Sequence, residues 1–211
     1  MNEKNLEARV RELETQVTAA RDVEEIERLQ RIYGFFLDNR RWDDIVDLFS
    51  EHAESLEISD SGVYLGKEGA TRFFKGFLGR GGLPPGAGAL GLHMQLQGVV
   101  HVDEGGATAR GRWQCLMLLA VPRNGELTAM LGHGVYDMGY IKEDGVWQFS
   151  KLHFYLTFRT PLDQGWVKVP VVHSMAAGTP DKPSTVYKPL PESYIVPFAF
   201  THPVTGKDIR V

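Results

Sequence analysis

From Leu92 to Arg159 the chain runs through long stretches that mix apolar and polar residues, broken at "DEGG", "PRNGE" and "KEDG". Each break has the composition of a hairpin turn, so the pattern predicts four successive antiparallel strands. Strands of about ten to fourteen residues must bend strongly to stay compact. In "GRWQCLMLLAV", strand alternation puts Trp113, Cys115, Met117 and Leu119 on one face and Arg112, Gln114, Leu116 and Leu118 on the other. Neither face is cleanly polar, so both are expected to be covered. Upstream, "LHMQLQGVV" sets His93, Gln95 and Gln97 in a row on one face of an otherwise apolar strand. Such a row suits either a solvent-facing edge or a cavity with a few aimed polar groups.

The N-terminal third has helical periodicity instead. Leu6, Val10, Leu13, Val17 and Ala20 are spaced 4, 3, 4, 3, the a/d seam of a heptad repeat. A helix of two heptads is marginal alone, so residues 1–21 are read as a separate helix that packs on a partner subunit or back on the domain. Asp22 and Glu25 form an N-terminal capping pattern for a second helix, with Ile26, Leu29, Tyr33, Phe36 and Leu37 facing the core. "RRWDDIVDLFS" makes a third short helix, "ESLEISDSGVYLG" a hairpin, and "GKEGATRFFKGFLG" a helix whose apolar face includes Phe73, Phe74 and Phe77. The Gly/Pro-rich "GRGGLPPGAGALG" is expected to be a mobile loop at a cavity mouth. Helices followed by an antiparallel meander define an α+β domain over residues 22–160, its helices packed on one concave sheet. Residues 161–211 hold 8 of the 11 prolines yet keep Tyr187, Tyr194, Ile195, Phe198 and Phe200, too apolar for a free tail. They are expected to form an extended arm on this subunit or its neighbour, closing or bracing the cavity.

Composition narrows the function. Hydrophobic content of 43%, charged content of 24% and a net charge of −4 describe a globular chain with no electrostatic reason to bind nucleic acid or an anionic membrane. No apolar run approaches the ~20 residues of a membrane span, and "MNEKNLEARVREL" is too charged for a signal-peptide core. A cytoplasmic location is the expectation. The single cysteine, Cys115, sits in a strand pattern and reads as a small core residue. No H-x-H or H-E-x-x-H spacing, dinucleotide fingerprint, Walker loop or nucleophile elbow is present, so neither a metal nor a cofactor is expected.

Three segments, "LDNRRWDDIVDLF", the Y-x-G-x-x-G run from Tyr64 to Gly69 and "DGVWQF" from Asp144 to Phe149, resemble in order and spacing the SnoaL-like branch of the nuclear transport factor 2-like superfamily. The resemblance spans about residues 22 to 160 and implies a conical α+β barrel enclosing one deep pocket. Within that branch the chain is similar to scytalone dehydratases, which eliminate water without a cofactor. The similarity puts a pocket acid at Asp38 and a pocket histidine at His93. It puts Leu37 and Ile58 where the family has tyrosines, Trp113 near a second histidine and Tyr136 near an asparagine. These departures argue against scytalone itself as substrate. The resemblance also implies a homo-oligomer, with a trimer favoured and a dimer possible.

Histidine with an adjacent carboxylate moves protons near neutrality. The pattern and the resemblance together make Asp38–His93 the candidate acid/base pair, Tyr136 and Tyr33 phenolic donors, and Trp113, Ile58, Leu37, Phe74 and His153 substrate-binding candidates. His153 shares its nominal strand face with Lys151, Tyr155 and Arg159, but also with Trp147 and Phe149, so it reaches the pocket only if a bulge intervenes; a solvated or interfacial position is the other reading. The expected function is a cofactor-independent lyase for a small hydrophobic or aromatic molecule. It would eliminate water, or formaldehyde from a lignin-derived diarylpropanoid. An isomerase or cyclase of a polyketide- or steroid-like substrate, or a non-catalytic binder of hydrophobic ligands, remains the alternative.

Overall fold

The structure, a computed structural model, describes residues 3–81, 88–123, 125–172 and 178–210. One helix, α1 (Glu3–Asp38), replaces the two expected. No proline interrupts the segment, and Asp22, read as a cap, is used elsewhere: its Oδ1 accepts hydrogen bonds from the Lys142 ammonium and the Trp147 indole. The helix stops sharply because Arg40 takes a left-handed conformation (φ 55°) that turns the chain into α2 (Trp42–Asp47).

A short hairpin, β1 (Ser55–Ile58) and β2 (Val63–Leu65), leads into α3 (Gly66–Thr71), which widens into a π-helical stretch at Arg72–Leu78. Four long strands follow: β3 (Leu90–Val102), β4 (Thr108–Arg123), β5 (Glu126–Glu143) and β6 (Val146–Pro161). Their turns fall at the three predicted breaks. Asp144 and Gly145 both have positive φ, which the tight β5–β6 hairpin requires. The six strands form one sheet in the order β2-β1-β6-β5-β4-β3, with β1 parallel to β6 and every other pair antiparallel. Buried Ala109, Trp113, Cys115 and Met117 of β4 and Tyr136, Met138 and Tyr140 of β5 line the concave face, against which α1 packs from Asp22 onward. This is the α+β architecture read from the pattern. No helix among the described residues is long and apolar enough to cross a membrane.

Two register shifts between β5 and β6 decide what reaches the interior. Trp147 and Phe149 point inward; the extra residue near Ser150 then turns Leu152, Phe154 and Leu156 inward and sends Lys151, His153 and Tyr155 to the convex side. A second shift at Thr157 returns Arg159 to the interior. The bulge foreseen at His153 is therefore present, but it carries His153 away from the cavity.

The arm covers that convex side. Thr185 donates its N–H and hydroxyl to the Glu57 carboxylate at 2.7 and 2.8 Å, Tyr194 stacks on Tyr155, and the Arg112 guanidinium donates to the Val196 and Pro197 carbonyls and lies 5.8 and 6.0 Å from the Phe198 and Phe200 rings. No described arm residue lines the cavity; of the two expected roles, closing or bracing it, the described contacts are those of a brace, with Arg72 of the π-helical stretch bonded to Thr179 and Asp181. The Gly/Pro loop expected at the mouth falls largely on residues 82–87, outside the described residues.

His153 is sealed beneath this arm, 3.5 Å from Glu57 and stacked on Tyr155. Burial, reinforced by the Lys151 ammonium and opposed by Asp137, pushes its pKa down to about 4. The unfolded chain then takes up a proton that the folded chain refuses. Stability is complete above pH ~6.5 and is lost as pH falls through the window toward 4, by about 2 kcal/mol at pH 5. Denaturant unfolding of the wild type should show this slope, and His153→Gln should flatten it; identical slopes would remove His153 from the account.

Candidate active site

Asp38 ends α1, where the helix dipole disfavours a carboxylate. Two donors from β3 offset this. The His93 main-chain N–H reaches Asp38 Oδ1 at 2.8 Å, and His93 Nδ1 lies 3.1 Å from the same oxygen. An ionised carboxyl only accepts, so this contact matches the neutral imidazole tautomer that carries its proton on Nδ1 and leaves Nε2 its lone pair. Helix and strand approach this closely because residue 34 is glycine: a Cβ there would stand 3.0 Å from Gln95 Cγ and 3.4 Å from the His93 carbonyl.

Behind the pair runs a buried hydrogen-bond chain. Trp113 Nε1 donates to the Tyr140 hydroxyl (3.0 Å), which donates to Gln30 Oε1 (3.0 Å). Gln30 Nε2 donates to Gln95 Oε1 (2.9 Å), and Gln95 Nε2 to the His93 carbonyl (3.1 Å). The polar row on β3 is thus divided. His93 faces the cavity, Gln95 braces it, and Gln97 sits at a bulge with φ 45°.

The cavity holds about 470 Å³ between the concave sheet, the end of α1 and the π-helical stretch. Leu37, Ile58, Phe73, Phe77, Met117, Leu119 and Phe154 make its apolar wall; Tyr33, Asp38, Arg40, Ser59, His93, Tyr136 and Arg159 supply its polar groups. The phenolic oxygens of Tyr33 and Tyr136 are 3.5 Å apart, and burial raises both phenols far above the ordinary range, so both are neutral donors. Burial also lowers the Arg159 pKa. Among the described residues no group of three or more His, Cys, Asp or Glu side chains is placed to hold a metal ion.

Of the candidates, the structure gathers Asp38, His93, Tyr33, Tyr136, Leu37 and Ile58 around the cavity. Three lie elsewhere. Trp113 is buried deeper, hydrogen-bonded to Tyr140, with its ring filling the space left by Gly98. Phe74 packs among Tyr33, Trp42, Phe49 and Phe73, because the wider π turn sends Phe73 and Phe77 to the cavity instead. His153 is under the arm. Sequence reasoning missed Met117, although it shares the strand face of Trp113 and Cys115, and it missed Gln30, Tyr140, Arg40 and Ser59, which only the fold brings near.

The SnoaL-like domain family profile matches residues 18–153, from just before Asp22 to the middle of β6. The chain belongs to the SnoaL-like domain family. Solved structures share its fold. One is a protein from Novosphingobium aromaticivorans, provisionally named a scytalone dehydratase; it is 18% identical with a TM-score of 0.60, covering 79% of this chain and 97% of its own. A type 2 hexachlorocyclohexane dehydrochlorinase is 22% identical with a TM-score of 0.59, covering 70% and 93%. A type 3 enzyme from Novosphingobium barchaimii is 20% identical with a TM-score of 0.60, covering 70% and 94%. No curated protein matches the chain.

Cys115 lies in the same interior. Burial, with the nearby Asp38 charge, pushes its thiol up to about 12. A thiol reagent at pH 8 should leave the native protein unmodified and label one thiol after denaturation; rapid native labelling would contradict this burial.

Proposed function

We propose that this member of the SnoaL-like family is a cofactor-independent lyase that eliminates a small leaving group from a compound of one or two aromatic rings. The observation that carries this reading is the Asp38–His93 pair, bonded at 2.8 and 3.1 Å, at the wall of a largely apolar cavity. A volume of about 470 Å³ lies in the range of small-molecule sites.

In this reading Asp38 holds the imidazole with Nε2 toward the substrate. Nε2 removes a proton from carbon, the C–H electron pair becomes the new double bond, and the leaving oxygen departs while hydrogen-bonded by the neutral phenols of Tyr33 and Tyr136. His93 then returns its proton to that oxygen, and water forms. With a hydroxymethyl substrate, the same base takes the hydroxyl proton. The carbon–carbon bond breaks to release formaldehyde, and the carbanion is reprotonated by His93. Eliminations are also what the names of the similar structures, a dehydratase and dehydrochlorinases, describe.

The test uses a panel of hydroxylated and hydroxymethylated diaryl compounds, with turnover and binding measured separately. His93→Ala and Asp38→Asn should lower kcat by about 10²- to 10⁴-fold while ligand affinity stays within a few-fold. Wild-type turnover in His93→Ala would sink the proposal. Tight binding with no turnover of any panel member by the wild type would favour a hydrophobic-ligand binder.

A further inference from the structure

We infer that the first half of α1 is a dimerisation element, a parallel two-stranded coiled coil formed with a second copy of this chain over residues 6–20. The seam Leu6, Val10, Leu13 and Val17 is 51, 45, 44 and 58% exposed, so the chain's own domain leaves it uncovered. It cannot fold back onto that domain, because α1 is one unbroken helix whose domain-facing stripe starts at buried Asp22 and continues through Ile26, Gln30 and Tyr33. At 100° per residue, Asp22 lies about 140° from Val17 and about 200° from Ala20, on the far side of the helix. The seam thus faces away from the body of the molecule, with room for a partner. Anchoring of the second half in the core supplies the helix nucleus that two isolated heptads lack.

Residue types select the partner and the geometry. Valine occupies both central a positions (Val10, Val17) and leucine the first two d positions (Leu6, Leu13); a β-branched a layer with a leucine d layer favours two parallel strands. The flanking charges agree. In a parallel pair Arg9 at g faces Glu14 at e of the second copy, twice by symmetry. An antiparallel pair would set e against e and bring Glu7 opposite Glu14, two like charges. The occupant that fits this surface is therefore an identical helix, and the stoichiometry is two, the lesser of the two alternatives that the family resemblance implied.

Sedimentation of the full-length chain at micromolar concentration should give a dimer, and Val10→Glu combined with Leu13→Glu should give a folded monomer, since the described contacts of these side chains hold nothing else in the domain. Arg9→Glu should weaken the dimer several-fold and adding Glu14→Arg to the same chain should restore it. Leu13→Cys, at the seam, should oxidise to a covalent dimer, whereas Ala8→Cys, on the outer face, should not. A wild-type monomer, a wild-type trimer, or an assembly unchanged by the double glutamate variant would each overturn the inference.

Discussion

The Asp38 carboxylate, accepting both the main-chain N–H and the imidazole of His93, ties the end of a 36-residue helix to the edge strand of the sheet. β3 is paired on one side only, by β4, and its other side needs a partner. α1 supplies one at the point where Gly34 lets the backbones close in, at a cost of about 1 kcal/mol relative to alanine in a helix. The cavity exists because the sheet curls toward that helix and is stopped by it. Gln30 and Gln95 repeat the helix-to-strand bond two turns further back, where Gln30 is fully buried and a polar atom left unpaired would cost about 1–3 kcal/mol.

The second organising device is the pair of bulges in β6. They let one strand serve two surfaces: aromatic residues fill the concave core, while on the convex side Lys151 pairs with Asp137 and His153 lies against Glu57 and the arm. The arm covers the convex face over β6, whereas Leu92, Met94 and Leu96 leave it exposed along β3, and the cavity on the opposite face is walled by the inward set. The described arm residues therefore bear on the site through the sheet and through Arg72 of the π-helical stretch, which holds Thr179 and Asp181.

What was legible in the sequence follows from this. β4 pairs with β5 without interruption, so a plain alternation correctly put Trp113, Cys115 and Met117 on one inner face. β6 shifts register twice, and no alternation read from residues alone reveals an extra unpaired residue, so His153 was open to two placements and Arg159 was grouped with it. The π-helical stretch defeated the 3.6-residue period in the same way and moved Phe74 off the cavity wall. Asp38 and His93, 55 residues apart, were joined by family resemblance and not by any local pattern. Gln30 and Tyr140 were invisible because their partners are separated by 65 and 110 residues of chain, and only closure of the helix onto the sheet brings them together.

The orientation of the His93 imidazole is the point on which the site's chemistry turns, and nitrogen-15 NMR of the labelled imidazoles reads it directly. With the ring neutral, the Asp38 contact predicts the Nδ1–H tautomer for His93, an unprotonated Nε2 whose resonance moves when an aromatic ligand enters the cavity, and loss of that tautomer preference in Asp38→Asn. An Nε2–H tautomer in the wild type, or an Nε2 resonance indifferent to a bound ligand, would contradict the account.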